Sequence, residues 1–258
     1  MIRRFVAFIA FTFGLLAGGL IAARTGVTIT PARISEAQIL AVVRNHGDVI
    51  IEALQDEHAK RRQQAEAQTQ IALRAHEAEF LEAGSDTPVM GNLNGRHILV
   101  YFFDATCHFC REFDPHLKAM LVNDPDLKLI LRPLAILGPH LPDGGLRPDA
   151  PSAIAALYTD AIWHRSRAIF AKFLEALMSR PIQDAEALAA LARSFGLDPG
   201  DMAHYPGSGT RIADNAALFR LAGGQGTPFL LVKGPGSLQA FSGAVAPKMI
   251  EAAFSEIH

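Results

Sequence analysis

At 258 residues, half of them apolar and 19% charged, the chain can bury a core of one or two domains, and neither a disordered nor a fibrous protein fits. Its 24 basic and 26 acidic side chains leave a formal net charge of −2, so no polyanion-binding surface is expected and nucleic acid is set aside as a partner.

Arg3 and Arg4 precede an uncharged, apolar run over residues 5–23 that Arg24 closes. A basic start followed by such a block is an export signal. The run exceeds the roughly 7–15 residues of a usual signal core and nears the ~20 that span a bilayer. Residues 1–23 are therefore expected to be either a cleaved signal peptide or a retained single-span membrane anchor. Both place the rest of the chain outside the cytoplasm, where disulfides persist.

Residues 24–34, with Pro31, read as an extended linker. Ser35 and Gln38 form a capping-box pattern for a short helix carrying Ile39, Val42 and Val43, which Gly47 ends. Asp48 then caps a second helix expected to run to Ala83 and stop at Gly84, roughly 50 Å long. Val49, Ile50, Ala53 and Leu54 give it an apolar start, and Ile71, Leu73, Phe80 and Leu81 an apolar end. Residues 55–70 between them are almost wholly polar. Such a helix either packs its ends on its own domain or associates with copies of itself. A homo-oligomer through residues 35–83 is the preferred expectation.

Pro88, Gly91, Asn92, Asn94 and Gly95 mark a turn-rich approach, with a short strand near Val89, to a continuous apolar strand over residues 98–103. Cys107-His108-Phe109-Cys110 follows, and Phe113, Leu117, Met120 and Leu121 then recur at helical spacing. Residues 127–131 read as a second strand stopped at Pro133, and 139–151 as a surface loop. Helices are expected over 152–166, 168–179, 184–195 (capped by Asp184) and 210–221. A turn at 223–226 leads to a strand over 227–232, a hairpin strand over 238–241, and a last helix opened by Pro247 with Met249, Ile250 and Phe254 on one face. This order gives an α/β, thioredoxin-like fold with an inserted helical subdomain at about 148–222, preceded by an N-terminal helical stalk. The expected division is 1–23, 24–84 and 85–258.

Cys107 and Cys110 are the two cysteines of the chain. A bridge between them closes almost no loop and would constrain the unfolded chain little, so a stabilising staple is the weaker explanation. Two thiols at this spacing on a strand-to-helix turn have the layout of a redox-active dithiol.

The stretch from Phe102 through Asp104-Ala105-Thr106 to Cys110, with Gly226-Thr227-Pro228-Phe229 downstream, resembles the DsbA family of thiol-disulfide oxidoreductases. The turn at 91–95, the Trp163-His164 helix and the strand at Thr227-Pro228-Phe229-Leu230 are similar to its ScsC/Com1-like branch. The resemblance covers roughly residues 85–258. Residues 34–84 also resemble the N-terminal helical region of ScsC-type proteins, some of which trimerise through it. Two departures stand out. His-Phe separates the cysteines where the family more often has Pro-His or Pro-Tyr, and Tyr101 stands where many members carry a strand glutamate.

A helix N-terminus stabilises a thiolate, so Cys107 is expected to be the exposed, attacking sulfur and Cys110 the more buried, resolving one. His108 is read as a catalytic neighbour that stabilises the thiolate, against a solvent-facing side chain that does little. Asp104, which flanks the motif with Arg111, is either a charge that tunes or relays protons or a surface-loop acid. Phe109 is a packing or surface residue. The resemblance implies a cis bond at Pro228, with Thr227 beside the sulfurs binding and choosing substrates. It also implies a periplasmic protein exchanging disulfides with cysteine-containing exported proteins, a membrane partner that recycles it, and no cofactor beyond the cysteine pair. A monomer would tend to act as an oxidase, a self-associated form as an isomerase. The alternative is a copper-binding, copper-tolerance module in which Cys107, Cys110 and His108 capture Cu(I). No histidine elsewhere has metal-ligand spacing with the cysteines.

Overall fold

A computed structural model describes residues 35–141, 147–181, 184–205 and 207–255. The expected signal or anchor at 1–23 and the linker after it lie outside the described residues. The chain divides into two compact units, 1–60 and 61–258.

In the first unit, α1 (Glu36–Asn45) starts at the expected capping box: Gln38 N–H donates to the Ser35 side chain, and Ser35 N–H donates to Gln38 Oε1 at 2.9 Å. None of its residues is buried. The second helix, α2 (Gly47–Ala75), begins at the glycine that the sequence reading made a stop, and Asp48 lies in its first turn rather than at its cap. The separation from α1 falls at His46, whose φ of −126° and ψ of 36° leave the helical basin. Ile39, Leu40, Val42, Val43, Val49, Ile50, Ile51 and Leu54 are all exposed.

The second unit begins within α2. Residues 61–84, read above as part of the N-terminal helical region, belong to it. The single helix expected to residue 83 is interrupted at His76 (φ −119°, ψ 20°), and α3 (Glu77–Leu81) follows. Backbone hydrogen bonds from His76 N–H to Ala72 O and from Phe80 N–H to His76 O carry the turn across. His76 Nδ1 meets Glu79 Oε1 at 2.8 Å, a side-chain pairing that no periodicity announces.

Five strands form one mixed sheet in the order β1-β3-β2-β4-β5. They are β1 (Val89–Gly91), β2 (His97–Phe103), β3 (Leu127–Pro133), β4 (Phe229–Lys233) and β5 (Gln239–Ser242). β2 runs parallel to β3, and the other three pairings are antiparallel. From Ile98 onward β2 carries no charged side chain and is mostly apolar, because it is central and covered on both sides. Leu99, Tyr101 and Phe103 face one layer with α4 (His108–Asn123), the inserted helices and α9 (Pro247–Ser255). Val100 and Phe102 face the other, with Leu73 of α2, Phe80 of α3 and Phe219 of α8 (Ser208–Leu221). This alternation is the two-residue period of a strand made visible in packing.

Between β3 and β4 the chain forms α5 (Pro151–Arg165), α6 (Arg167–Met178), α7 (Ala185–Ser194), a 3₁₀ turn (Pro199–His204) and then α8. Asp184 caps α7 as expected, accepting from Ala187 N–H at 2.8 Å. The 3₁₀ turn falls in the gap between the helices expected over 184–195 and 210–221. Asp198 supplies it, accepting from Gly200 N–H at 2.9 Å. The buried Asp160 of α5 receives Arg211 of α8 in a forked pair, 2.9 Å from Nε and 2.6 Å from the terminal nitrogen. That pair fixes the inserted helices to one another. Trp163 Nε1 donates to Ser85 O at 3.2 Å, fixing α5 to the segment after α3.

Candidate active site

The site is built where β2 ends. Asp104 is wholly buried and its carboxyl oxygens take five hydrogen bonds. Thr106 donates twice, from N–H at 2.9 Å and Oγ1 at 2.7 Å. Ile136 and Leu137 N–H donate at 3.1 Å each, and Ser152 Oγ is the fifth donor. A buried carboxyl with fewer partners would cost several kcal/mol, on the order of the desolvation penalty of a charged group. Asp104 is thus neither a surface-loop acid nor in contact with solvent. It ties the turn before the cysteines to the segment after β3 and to the start of α5. Arg111 closes the same turn, donating to Ala105 O at 3.3 Å and Thr106 O at 2.8 Å.

Cys107 occupies the N-cap of α4, its own N–H donating to Asp104 O at 2.9 Å. It is more enclosed than a sulfur presented by a turn was expected to be, at 7% exposure. Its pKa is lowered to about 5. The largest cause is the hydrogen bond from the Cys110 thiol. Burial opposes it, and Thr227 and the backbone N–H groups of Cys110 and Phe109 add to the lowering. As a thiol, Cys107 Sγ donates to Thr227 O at 3.2 Å. The Thr227 hydroxyl is buried and has no hydrogen-bond partner among the described residues, and Thr227 is one of the groups that favour the ionised sulfur.

Cys110, one turn further into α4, is fully buried. Burial pushes its thiol far above the usual range, and the hydrogen bond to Cys107 and that sulfur's charge push the same way. Both cysteines are free thiols here. Tyr101 donates from its hydroxyl to Cys110 O at 3.3 Å and stacks on Phe103 with ring centres 5.0 Å apart. Burial, then the neighbouring Cys110, holds this phenol well above its ordinary value. Asp114, also buried, pairs with Lys118 at 2.9 Å.

The Thr227–Pro228 peptide bond is cis, and Gly243 N–H donates to Pro228 O at 2.8 Å. The structure therefore brings Cys107, Cys110, Thr227 and Pro228 to one point. His108 stands outside that group: its Nε2 lies 3.0 Å from Glu112 Oε1, both side chains exposed, and its ring rests against Phe109. Phe109 itself is 56% exposed beside the site. Sequence reasoning missed the anchoring by Ser152, the available Thr227 hydroxyl and the Glu112 partner of His108. The last had a signal, since His and Glu four apart on a helix face one another.

A low-pKa cysteine at a helix N-terminus, a buried second thiol one turn on and a cis-proline loop against the first sulfur define a thiol-disulfide site on a thioredoxin-type scaffold. The family model of the DSBA-like thioredoxin domain matches residues 98–255, and the chain belongs to that family. Solved structures agree in fold. The catalytic domain of Proteus mirabilis ScsC is 23% identical with a TM-score of 0.60, covering 72% of this chain and 96% of that one. The thiol-disulfide exchange protein alpha-DsbA2 from Wolbachia pipientis is 23% identical with a TM-score of 0.60, covering 72% and 94%. A periplasmic thioredoxin-like protein from Salmonella enterica serovar Typhimurium is 24% identical with a TM-score of 0.56, covering 69% and 93%. No curated protein matches the chain.

Proposed function

We propose that this chain is an exported protein thiol-disulfide oxidoreductase that works in the periplasm on cysteine-containing exported proteins. Cys107 attacks and Cys110 resolves, with no cofactor beyond the pair. A membrane redox partner recycles it. The observation that carries this reading is the asymmetry of the two sulfurs: one ionised near neutral pH at the edge of the site, the other protonated and buried behind it. The Cys107 thiolate attacks a client disulfide, one client sulfur leaves with the electron pair, and a mixed disulfide forms. Cys110 then loses its proton and attacks Cys107 Sγ, releasing the second client sulfur and leaving the Cys107–Cys110 bond. Run backwards, the same steps oxidise a client. Stabilising the Cys107 thiolate favours the reduced enzyme and so the oxidising direction. The Salmonella neighbour's periplasmic description and the Wolbachia neighbour's exchange description support compartment and chemistry.

The exposed apolar side chains of α1 and the start of α2 support self-association through residues 35–83, which would pair two or more sites and suit isomerase work. The copper alternative would need His108 turned from Glu112 onto the sulfurs. The test is the reduction potential of the full-length protein, measured against glutathione. A value near −120 to −180 mV fits an oxidant or isomerase, and one near or below about −270 mV would overturn that direction in favour of a reductase.

A further inference from the structure

A groove of about 590 Å³ opens beside the cis-proline loop, within the range of ligand-binding clefts. One wall is the exposed, polar face of α2 that carries Arg62, Ala65, Glu66 and Gln70. The opposite wall is the turn leading into Thr227, together with the end of β5 at Ser242. The helix wall is fixed in place. Gly223, at φ +79°, brings its backbone so close to α2 that any Cβ would collide with Thr69 Oγ1, and Leu73, one turn further on, is fully buried. Thr227 belongs to both places: it lines the groove, and its carbonyl accepts from the Cys107 sulfur at 3.2 Å. Among the described residues β5 pairs only with β4, so the groove also borders a sheet edge with backbone groups to offer an extended chain. Residues 62–70 lie outside the stretch that matches the family model.

We propose that this polar face of α2 is the selectivity wall of the client site. It holds the extended segment that flanks the reacting cysteine of a client polypeptide, and Arg62 and Glu66 select that segment by charge. This rests on the thiol-exchange reading above. When the Cys107 thiolate attacks a client disulfide, the Cys107–client S–S bond forms, the client's own S–S bond breaks and its other sulfur leaves with the electron pair. The chain on one side of the captured cysteine then runs past Thr227 into the groove. The polar stretch of α2, which separates the apolar start of that helix from its apolar end, is thereby given a role.

The test uses the full chain carrying Cys110→Ser, so that capture stops at the mixed disulfide. The probes are a peptide whose single cysteine bears thionitrobenzoate, in versions with lysine or glutamate flanks, and glutathione bearing the same group. Release of thionitrobenzoate reports each rate. Ala65→Trp, which fills the groove from an exposed position, is expected to lower the peptide-to-glutathione rate ratio at least about fivefold, the scale of a central interface contact. Glu66→Lys is expected to reverse the preference between the two flanks. As a check that needs no groove variant, amide hydrogen exchange over residues 62–70 should slow in the peptide adduct. Ratios within twofold of the parent, with unchanged exchange over 62–70, overturn the wall while leaving thiol exchange standing. Capture of neither probe by Cys107 overturns the exchange reading and the wall together.

Discussion

Asp104 takes five hydrogen bonds in a space without solvent, while on α1 and the first turns of α2 eight large apolar side chains stand in water. Around the Asp104 carboxyl the buried polar atoms are satisfied; on α1 and the start of α2, apolar ones are exposed. The difference separates a part of the chain that satisfies its own buried carboxylate from one that leaves its apolar side chains uncovered. Chemistry needs the first kind, because a sulfur tuned to about pH 5 depends on fixed donors at fixed distances. Association needs the second, because apolar area left in water is what a second copy can remove.

The sharpest way to test the self-contained half is to remove its sulfurs. Cys107→Ser should bring refolding of a reduced, disulfide-dependent client down to the uncatalysed rate, whereas Cys110→Ser should accumulate mixed disulfides visible on non-reducing gels. Equal, partial losses in both would mean the sulfurs do not divide the work as their burial says. Next comes the support beneath them. Asp104→Ala leaves Thr106, Ile136 and Leu137 N–H groups without their acceptor, and we expect a loss of about 3 kcal/mol or more in urea unfolding. By contrast, Val43→Asp with Ile50→Asp, on the exposed apolar side, should move urea unfolding by less than about 0.5 kcal/mol and yet lower the mass seen by light scattering. A monomer before and after the change would end the case for self-association.

A pH series probes the same site without mutation. The Cys107 pKa in the folded, reduced protein is depressed from 9.0 to about 5. Between those values the unfolded chain holds a proton on this sulfur that the folded chain has released. The stability of the reduced form should therefore rise with pH through this window. The contribution is fully present above the unfolded value and lost as pH falls through about 5. Alkylation of Cys107 should titrate with a midpoint near 5, and Cys110→Ala, which removes the main donor, should carry that midpoint upward. A midpoint left unchanged by Cys110→Ala would transfer the credit to the helix N-terminus and Thr227.

How much of this could be read beforehand depended on how local the cause was. β2 announced itself because a central strand must be apolar on both faces, and the cysteine spacing sits on one helical turn. The cis bond at Pro228 came through family likeness, since nothing in a Thr-Pro dipeptide alone selects it. Asp104 escaped because, Thr106 aside, its partners stand at 136, 137 and 152, brought near only by β3 and the inserted helix. The break at His76 was hidden because the backbone bonds run on across it. The polar stretch of α2 read as solvated helix, which it is; that its face also walls a groove depends on Gly223 and Leu73, which no helical period connects.

The smallest effect should come from the residue the motif places nearest the chemistry. His108 lies between the cysteines in sequence, but its side chain is exposed and bound to Glu112 at 3.0 Å, while the groups that lower Cys107 are Cys110, Thr227 and two backbone N–H groups. An exposed pair four apart on a helix is worth only about 0.3–0.5 kcal/mol, and salt screens it. His108→Ala should accordingly change the reduction potential by less than about 30 mV, a tenfold change in the exchange constant of a two-electron couple. Glu112→Gln sharpens the point. If the glutamate is what turns the imidazole outward, freeing it should shift the potential more than deleting the ring does. A larger shift from His108→Ala than from Glu112→Gln would place the ring on the sulfur in solution and restore His108 to the catalytic group.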